Sequence, residues 1–316
     1  MCLLSGCGRF GELLKDYNSG EAVGADQGVL LYGRDVLATP DQDVTLWARL
    51  RTPHAFHGIE KVTIAFRHGE QTLGTAVTDK HGIATISWRP AGEGDYTIRL
   101  QPTELPSDVD REDVGALKTS YDLLVRVRKP QQKFLVTDID GTLVENGRVN
   151  VLIRENPRQL PHAAEALQRL AGVYDIVYLT ARPDELTRKT RHWLTMNRFP
   201  PGVLVTCEHP RPGGECAFKT QRLAELRRDF PALCAGVGDH VSDIDAYLAN
   251  DVPAYLICPV PASKRDMRGL SRHLRELKNP DRVQAVRDWL EVESGILNQC
   301  RYSPAAYAAE LERLAK

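Results

Sequence analysis

The sequence has little cysteine, little net charge and no long apolar run, and each shortage removes a class of protein. Seven cysteines are scattered through 316 residues without a C-x-x-C pair, too few and too irregular for a disulfide scaffold. The formal net charge is −1, which argues against a general nucleic-acid binder. No stretch is long and apolar enough to span a bilayer as a helix. What remains is a chain with 42% apolar and 26% charged residues, a composition that builds globular cores. The length fits about two domains of ~150 residues each.

Changes of texture mark the divisions. Residues 8–27 are rich in Gly, Asp, Asn and Ser, lack periodicity and read as a tether. Ahead of them, Leu4-Ser-Gly-Cys7 resembles a bacterial lipoprotein box, whose cysteine carries lipid after signal cleavage. The charged and apolar regions of a signal are missing before it, so anchoring requires a start upstream of Met1. An anchored chain belongs to the cell envelope; an unanchored one, with Cys7 incidental, to the cytoplasm.

From residue 28 to 130 short β-type runs take over. Val44, Leu46, Ala48 and Leu50 alternate with Thr45, Trp47 and Arg49, and Val62, Ile64 and Phe66 repeat the pattern. Residues 83–88, 96–100 and 121–127 continue it, with turn signals such as Asp79-Lys-His-Gly82 between the runs. About seven short strands in about 100 residues predict an all-β sandwich. Residues 77–88 and 94–98 resemble bacterial Ig-like domains of surface proteins. No cluster of catalytic residue types stands there, which predicts a spacer or a module for a protein partner. The change near Pro130 predicts that this module is separable from residues 131–316.

Residues 131–262 alternate strand and helix: strands at 134–137, 176–180, 203–205, 235–238 and 255–257, helices from 161, 184, 219 and 242. That alternation predicts an α/β domain, a parallel sheet flanked by helices. Residues 263–316 read as helices only. Met267, Leu270, Leu274 and Leu277 recur at helical spacing, with Lys264, Arg265, Arg268, Arg272, Arg275 and Lys278 between them. Such a face either packs its apolar stripe and solvates its charge or lies on anionic lipid. Ser303-Pro304 is an N-cap with proline at the first helical position.

The chain is organised around Phe134-Leu-Val-Thr-Asp-Ile-Asp-Gly-Thr142. A short apolar strand ends in two carboxylates one residue apart, Asp138 and Asp140, and Gly141 lets the chain turn away. Ligands of open α/β sheets bind outside the carboxyl ends of the strands. Paired carboxylates at such an end ionise together only beside a cation, and one can then attack while the other moves protons.

Asp138-Ile-Asp-Gly-Thr142 resembles the first motif of the haloacid dehalogenase (HAD) superfamily of phosphatases. Three further pieces come downstream in the order that family requires: Val177-Tyr-Leu-Thr180, Lys219, and Gly236-Val-Gly-Asp239-His-Val-Ser-Asp243. The resemblance implies a HAD-like sheet and a phosphatase that forms an aspartyl-phosphate on Asp138, with Asp140 as general acid and base. It implies that Thr180 and Lys219 hold the phosphoryl oxygens, and that Asp138, Asp140 (through its carbonyl), Asp239 and Asp243 bind Mg²⁺. Residues 144–159 occupy the place of a flap, too short for a cap domain, which leaves the site open to bulky or surface-bound substrates.

Within the superfamily, residues 136–142, 179–182, 187–194 and 199–204 are similar to the catalytic domain of lipins and related phosphatidate phosphatases. The last motif, Gly-Asp-x-x-x-Asp, has the general HAD form. The expected substrate is therefore a phosphate monoester, with phosphatidate at a membrane surface the first choice and a soluble phosphometabolite of the sugar-phosphate class the alternative. A non-catalytic lipid-phosphate-binding or adhesive module is the third reading, and Asp140 argues against it, since a binder has no need of a second aspartate. Arg182 has two readings, a partner for a carboxylate or a contact for phosphate. Cys207, His209 and Cys216 are placed like the zinc loop of small HAD phosphatases, but Phe218 stands where a fourth ligand is needed. A Cys207–Cys216 disulfide or two idle thiols are the other expectations.

Overall fold

A computed structural model describes residues 25–26, 28–53, 56–105, 117–145, 157–208 and 214–316. Cys7, the tether up to residue 24, residues 146–156 of the flap and His209 lie outside them. The chain divides into two compact units: Met1–Pro130 with Ala181–Trp193 and Val203–Gly213, and Gln131–Thr180 with Leu194–Gly202 and Gly214–Lys316.

The first unit holds eight N-terminal strands among the described residues: β1 (Leu30–Gly33), β2 (Val36–Ala38), β3 (Val44–Arg51), β4 (Thr63–His68), β5 (Gln71–Val77), β6 (Ile83–Trp88), β7 (Gly94–Glu104) and β8 (Tyr121–Val127). They form two sheets, ordered β1-β3-β6 and β2-β8-β7-β4-β5. The pairing is antiparallel except between β2 and β8. Alternation in the sequence decides which face is dry: Leu46, Ala48 and Leu50 of β3 share one core with Ile64 and Phe66 of β4 and Leu123 of β8.

A third sheet is built from β9 (Phe134–Thr137), β10 (Asp175–Pro183), β11 (Gly202–Cys207), β12 (Leu233–Gly238), β13 (Ala254–Ile257) and β14 (Val283–Val286). Its order is β11-β10-β9-β12-β13-β14. The pairs β9–β10, β9–β12, β12–β13 and β13–β14 are parallel. From β9 the chain steps outward through β10 and β11, then returns to β12 on the other side. The order reverses between β9 and β12, and a crevice opens beyond the carboxyl ends at such a switch point. All four residues of β9 are buried, as a central strand covered on both faces demands. Phe134 meets Phe230 edge to face, ring centroids 4.9 Å apart.

The helices are α1 (Ala163–Leu170), α2 (Thr187–Met196), α3 (Glu215–Asp229), α4 (Val241–Ala249), α5 (Lys264–Arg275), α6 (Trp289–Leu297) and α7 (Pro304–Leu314). A 3-10 turn, Asp184–Leu186, precedes α2. Within the second unit α1 packs on α6, α3 on α4, and α5 on α7. Ser303 caps α7, its hydroxyl accepting from the Ala306 amide.

Three details differ from the expectations drawn from sequence. Strand β10 continues past Thr180 to Pro183, and Lys219 lies one turn inside α3 instead of opening it. The stretch after Pro261 is not helical throughout: Val283-Gln-Ala-Val286 adds a sixth strand to the sheet. On α5, Leu274 is buried and Met267 and Leu270 are half-buried, so the stripe packs. The basic face is partly consumed inside the unit. Lys264 donates to the Lys316 carbonyl at 2.8 Å, Arg268 to that of Ala315 at 3.4 Å, and Arg275 pairs with Glu312 at 2.8 Å. Cations there complement the carbonyl end of α7.

Trp289 ties α6 to the loop after β9. It is fully buried, and its Nε1–H donates to the Thr142 carbonyl at 2.8 Å. Trp289→Phe leaves that buried acceptor without a donor and is expected to cost about 1–3 kcal/mol, read as a lower urea midpoint with an unchanged m-value. An unchanged midpoint would mean that the loop does not depend on this bond.

Candidate functional site

The six residues named for catalysis, phosphate and metal, Asp138, Asp140, Thr180, Lys219, Asp239 and Asp243, all fall in the second unit, on or just beyond β9, β10 and β12 and in the first turns of α3 and α4, whereas Arg182 and Cys207 fall in the first. Asp138 comes directly after β9, and its amide donates to the Val237 carbonyl of β12 at 2.9 Å. The chain then closes one tight turn, with the Leu143 amide on the Ile139 carbonyl at 2.8 Å. Gly141 makes the turn possible: its φ is +85°, and a Cβ there would lie 2.1 Å from Asp239 Oδ2.

Asp138, Asp239 and Asp243 each offer a carboxylate oxygen, all within 4.8 Å of one another. Lys219 reaches in from α3, its Nζ donating to Asp138 Oδ1 at 2.6 Å and Asp243 Oδ1 at 2.5 Å. The other oxygen of Asp243 accepts the His240 amide at 3.2 Å, which fixes the first turn of α4. Thr142 Oγ1 donates to Asp239 Oδ1 at 3.3 Å. Asp140, itself buried, accepts from Thr180 Oγ1 at 3.5 Å. The His240 ring stands at the solvent side, Nε2 at 3.5 Å from Asp239 Oδ2.

The electrostatics are set by the burial. Burial pushes the Asp138 carboxyl up to about 7; Lys219 pulls the other way, and the charges of Asp243, Asp140 and Asp239 add to the rise. Burial and then Asp243 raise Asp239 to about 7, against Lys219 and the bond from Thr142. For Lys219, burial opposes the charged form, and Asp138 and Asp243 outweigh it, holding the ammonium above its ordinary value. One lysine thus faces four aspartates, and the buried negative charge left over calls for a further cation. The donors fit one: hard oxygens from two strand ends and a helix, converging on one point, suit magnesium better than a softer metal.

The structure brings together all six residues expected at the site. Thr142 and Trp289 are the additions. Thr142 was visible only as part of a motif, and Trp289 stands 147 residues away with no local signal. Arg182 is buried and donates to Thr190 Oγ1 at 2.9 Å. No disulfide joins Cys207 and Cys216, which corrects that expectation in favour of two thiols. Among the described residues the carboxylate trio is the one group of three or more placed to hold a metal.

Residues 135–258 match the family described as PITM 1-3, LNS2 domain. That domain is lipin/Smp2-like and HAD-related, and the match supports a HAD-related, phosphatase-like domain over this stretch. No curated protein matches the chain. Among solved structures, a chain of the Pnkp1/Rnl/Hen1 RNA repair complex is 16% identical over 41% of this chain and 43% of its own, with a TM-score of 0.36. A second structure of that complex is 14% identical over 49% of this chain and 56% of its own, also at 0.36. The chain thus spans about half the length of each. A candidate HAD-like phosphatase of Mesorhizobium loti is 15% identical over 60% of this chain and 91% of its own, at 0.32. At such TM-scores these likenesses carry no argument about function.

Removing one charge of the cluster tests its electrostatics. The folded protein holds the Asp239 proton to about 7, against an ordinary 3.8, so ionising that carboxyl weakens the metal-free fold. Asp239→Asn is expected to raise stability in EDTA at pH 8 by roughly 1–3 kcal/mol. The gain should shrink below pH 7, where the parent carboxyl is already neutral. Magnesium should stabilise the parent, by ~2.7 kcal/mol at a hundred times its Kd, and leave the variant unmoved. Thermal melts at pH 5 and 8, with EDTA and with magnesium, check all three. Equal magnesium shifts in parent and variant would remove Asp239 from the metal set.

Proposed function

We propose that the chain is a magnesium-dependent phosphatase that hydrolyses a phosphate monoester through an aspartyl-phosphate on Asp138. The observation that carries this reading is the Lys219 ammonium bridging Asp138 and Asp243, with Asp239 beside them, at the switch point of a parallel sheet. Magnesium, when bound at Asp138, Asp239, Asp243 and the Asp140 carbonyl, supplies positive charge for the phosphoryl oxygens and lets the carboxylates ionise together. Asp138 attacks phosphorus, and the bond to the leaving oxygen breaks. Asp140 gives that oxygen its proton, then takes one from the water that attacks the acyl phosphate. Lys219 and Thr180 hold the equatorial oxygens, whose charge spreads in the transition state.

The substrate we favour is a lipid phosphate such as phosphatidate, on the similarity of residues 135–258 to an LNS2 domain. Soluble sugar phosphates are the competing substrates. The cations left exposed on α5 and just after it, Arg265, Arg272 and Lys278, support membrane-surface association, as would lipid on Cys7. The first unit is read as an Ig-like sandwich, from the resemblance of its strands, that also meets a protein partner.

Phosphate release from phosphatidate vesicles, measured beside a panel of soluble phosphate esters with and without magnesium, tests the proposal. Asp138→Asn is expected to abolish turnover, and Asp140→Asn to slow it by roughly 10²–10⁴-fold. Turnover by Asp138→Asn near the parent rate would sink the aspartyl-phosphate mechanism. Activity on soluble esters alone would move the substrate to the phosphometabolite class.

A further inference from the structure

We infer that the consecutive residues Arg34 and Asp35, in the turn between β1 and β2, form a positioning clamp on the end of β10, where Thr180 meets the phosphoryl group. What Thr180 does rests on the phosphatase reading; the clamp itself rests on geometry. All of its contacts lie inside the first unit, which includes Ala181–Trp193 and Val203–Gly213.

Asp184 stands four residues after Thr180 and is 1% exposed. Its Oδ2 accepts both Nε and Nη2 of Arg34, at 2.9 and 2.7 Å, and its Oδ1 accepts the Thr206 hydroxyl at 2.6 Å. A buried carboxylate stripped of its partners is strongly unfavourable, so these bonds define where Asp184 sits. The guanidinium of Arg34 is held from behind, 4.3 Å from the centroid of the Trp47 ring. Next to Asp184, Glu185 pairs with Arg51 of β3.

Asp35 does the same for the neighbouring elements. Its side chain is 1% exposed and pairs with Arg191 of α2. It also accepts the amides of Leu124 on β8 at 2.9 Å and Leu204 on β11 at 2.8 Å. One turn therefore fixes β8, β11, α2 and the 3-10 turn against one another. Strand β10 runs unbroken from Asp175 through Thr180 to Pro183. An extended backbone with no loop between Thr180 and Asp184 passes any displacement of Asp184 to the Thr180 hydroxyl. On this inference the first unit is more than a spacer. A chain begun near residue 129 would take from Asp184, Glu185, Arg188 and Arg191 the partners that precede it, Arg34, Arg51, Ser120 and Asp35, and would leave Asp184 the Thr206 hydroxyl.

The test uses the full-length chain carrying Arg34→Ala, Arg34→Lys or Thr206→Val. Hydrogen–deuterium exchange over residues 176–186 and the kcat and KM for p-nitrophenyl phosphate are measured well below each variant's melting temperature, with inorganic phosphate as competing ligand. Arg34→Ala should speed exchange over 176–186 and lower kcat/KM about tenfold or more, in line with the sensitivity of catalysis to ångström misplacements. It should also weaken phosphate competition, and Arg34→Lys should restore part of each. A lower melting temperature with kcat/KM at the parent value, or unchanged exchange over 176–186, would overturn the clamp. Should Arg34→Ala not fold, Thr206→Val, which deletes a single hydroxyl bond to Asp184, decides by the same readouts. A parent that hydrolyses no phosphate ester overturns the phosphatase reading, and exchange still decides the clamp.

Discussion

A buried ammonium shared by two carboxylates is the constraint on which the second unit depends. Lys219 can make both contacts because α3 packs on α4 and because β9 and β12, whose ends carry Asp138 and lead into α4, are paired side by side. A buried ion pair is seldom a source of stability, since desolvation consumes most of its Coulomb energy. An uneven group of one cation and several anions is less favourable still. Such an arrangement persists when it serves chemistry, and it makes the site sensitive to whatever cation enters. The carboxyls of Asp138 and Asp239, both raised to about 7 by burial and by the charge of Asp243, are the local expression of that imbalance.

The backbone is shaped to hold the carboxylates close. Gly141 has left-handed geometry and no room for a side chain beside Asp239. Gly238 plays the same part at the next strand end, where a Cβ would fall 2.5 Å from that of Asp243. The turn after β9 thereby approaches Asp239, and the end of β12 approaches the first turn of α4, more closely than substituted residues would allow. Trp289, arriving from the far end of the chain, closes the outer side of the same turn.

The carboxylates and the strands that carry them were legible in the sequence because their signals are local. An apolar run ending in Asp-x-Asp-Gly needs no distant information, and the periodicities of residues 44–50 and 121–127 match β3 and β8 closely. The short strand β14 was not legible, since four residues of Val-Gln-Ala-Val among helical segments fit either period. The Arg34–Asp184 bond joins residues 150 apart, and an arginine in a loop reads as surface. The boundary at Pro130 was a change of texture, which reports local structure and not which segments pack together. Unit membership is a property of contacts, and those carry residues 181–193 and 203–213 to the strands before residue 130.

That interleaving has a consequence for the order in which the protein can be made. Domains ordinarily fold as they leave the ribosome, N-terminal first, at roughly 5–20 residues per second. Here Asp35 finds the amide of Leu204 and the guanidinium of Arg191, and Arg34 finds Asp184, only after the central strand of the other unit has already been synthesised. Until then Asp35 has the Leu124 amide of β8 but not its arginine, and β9 waits in turn for β12. The first unit is therefore complete only once residues 203–213 have been made, by which point β9 has already been waiting for β12.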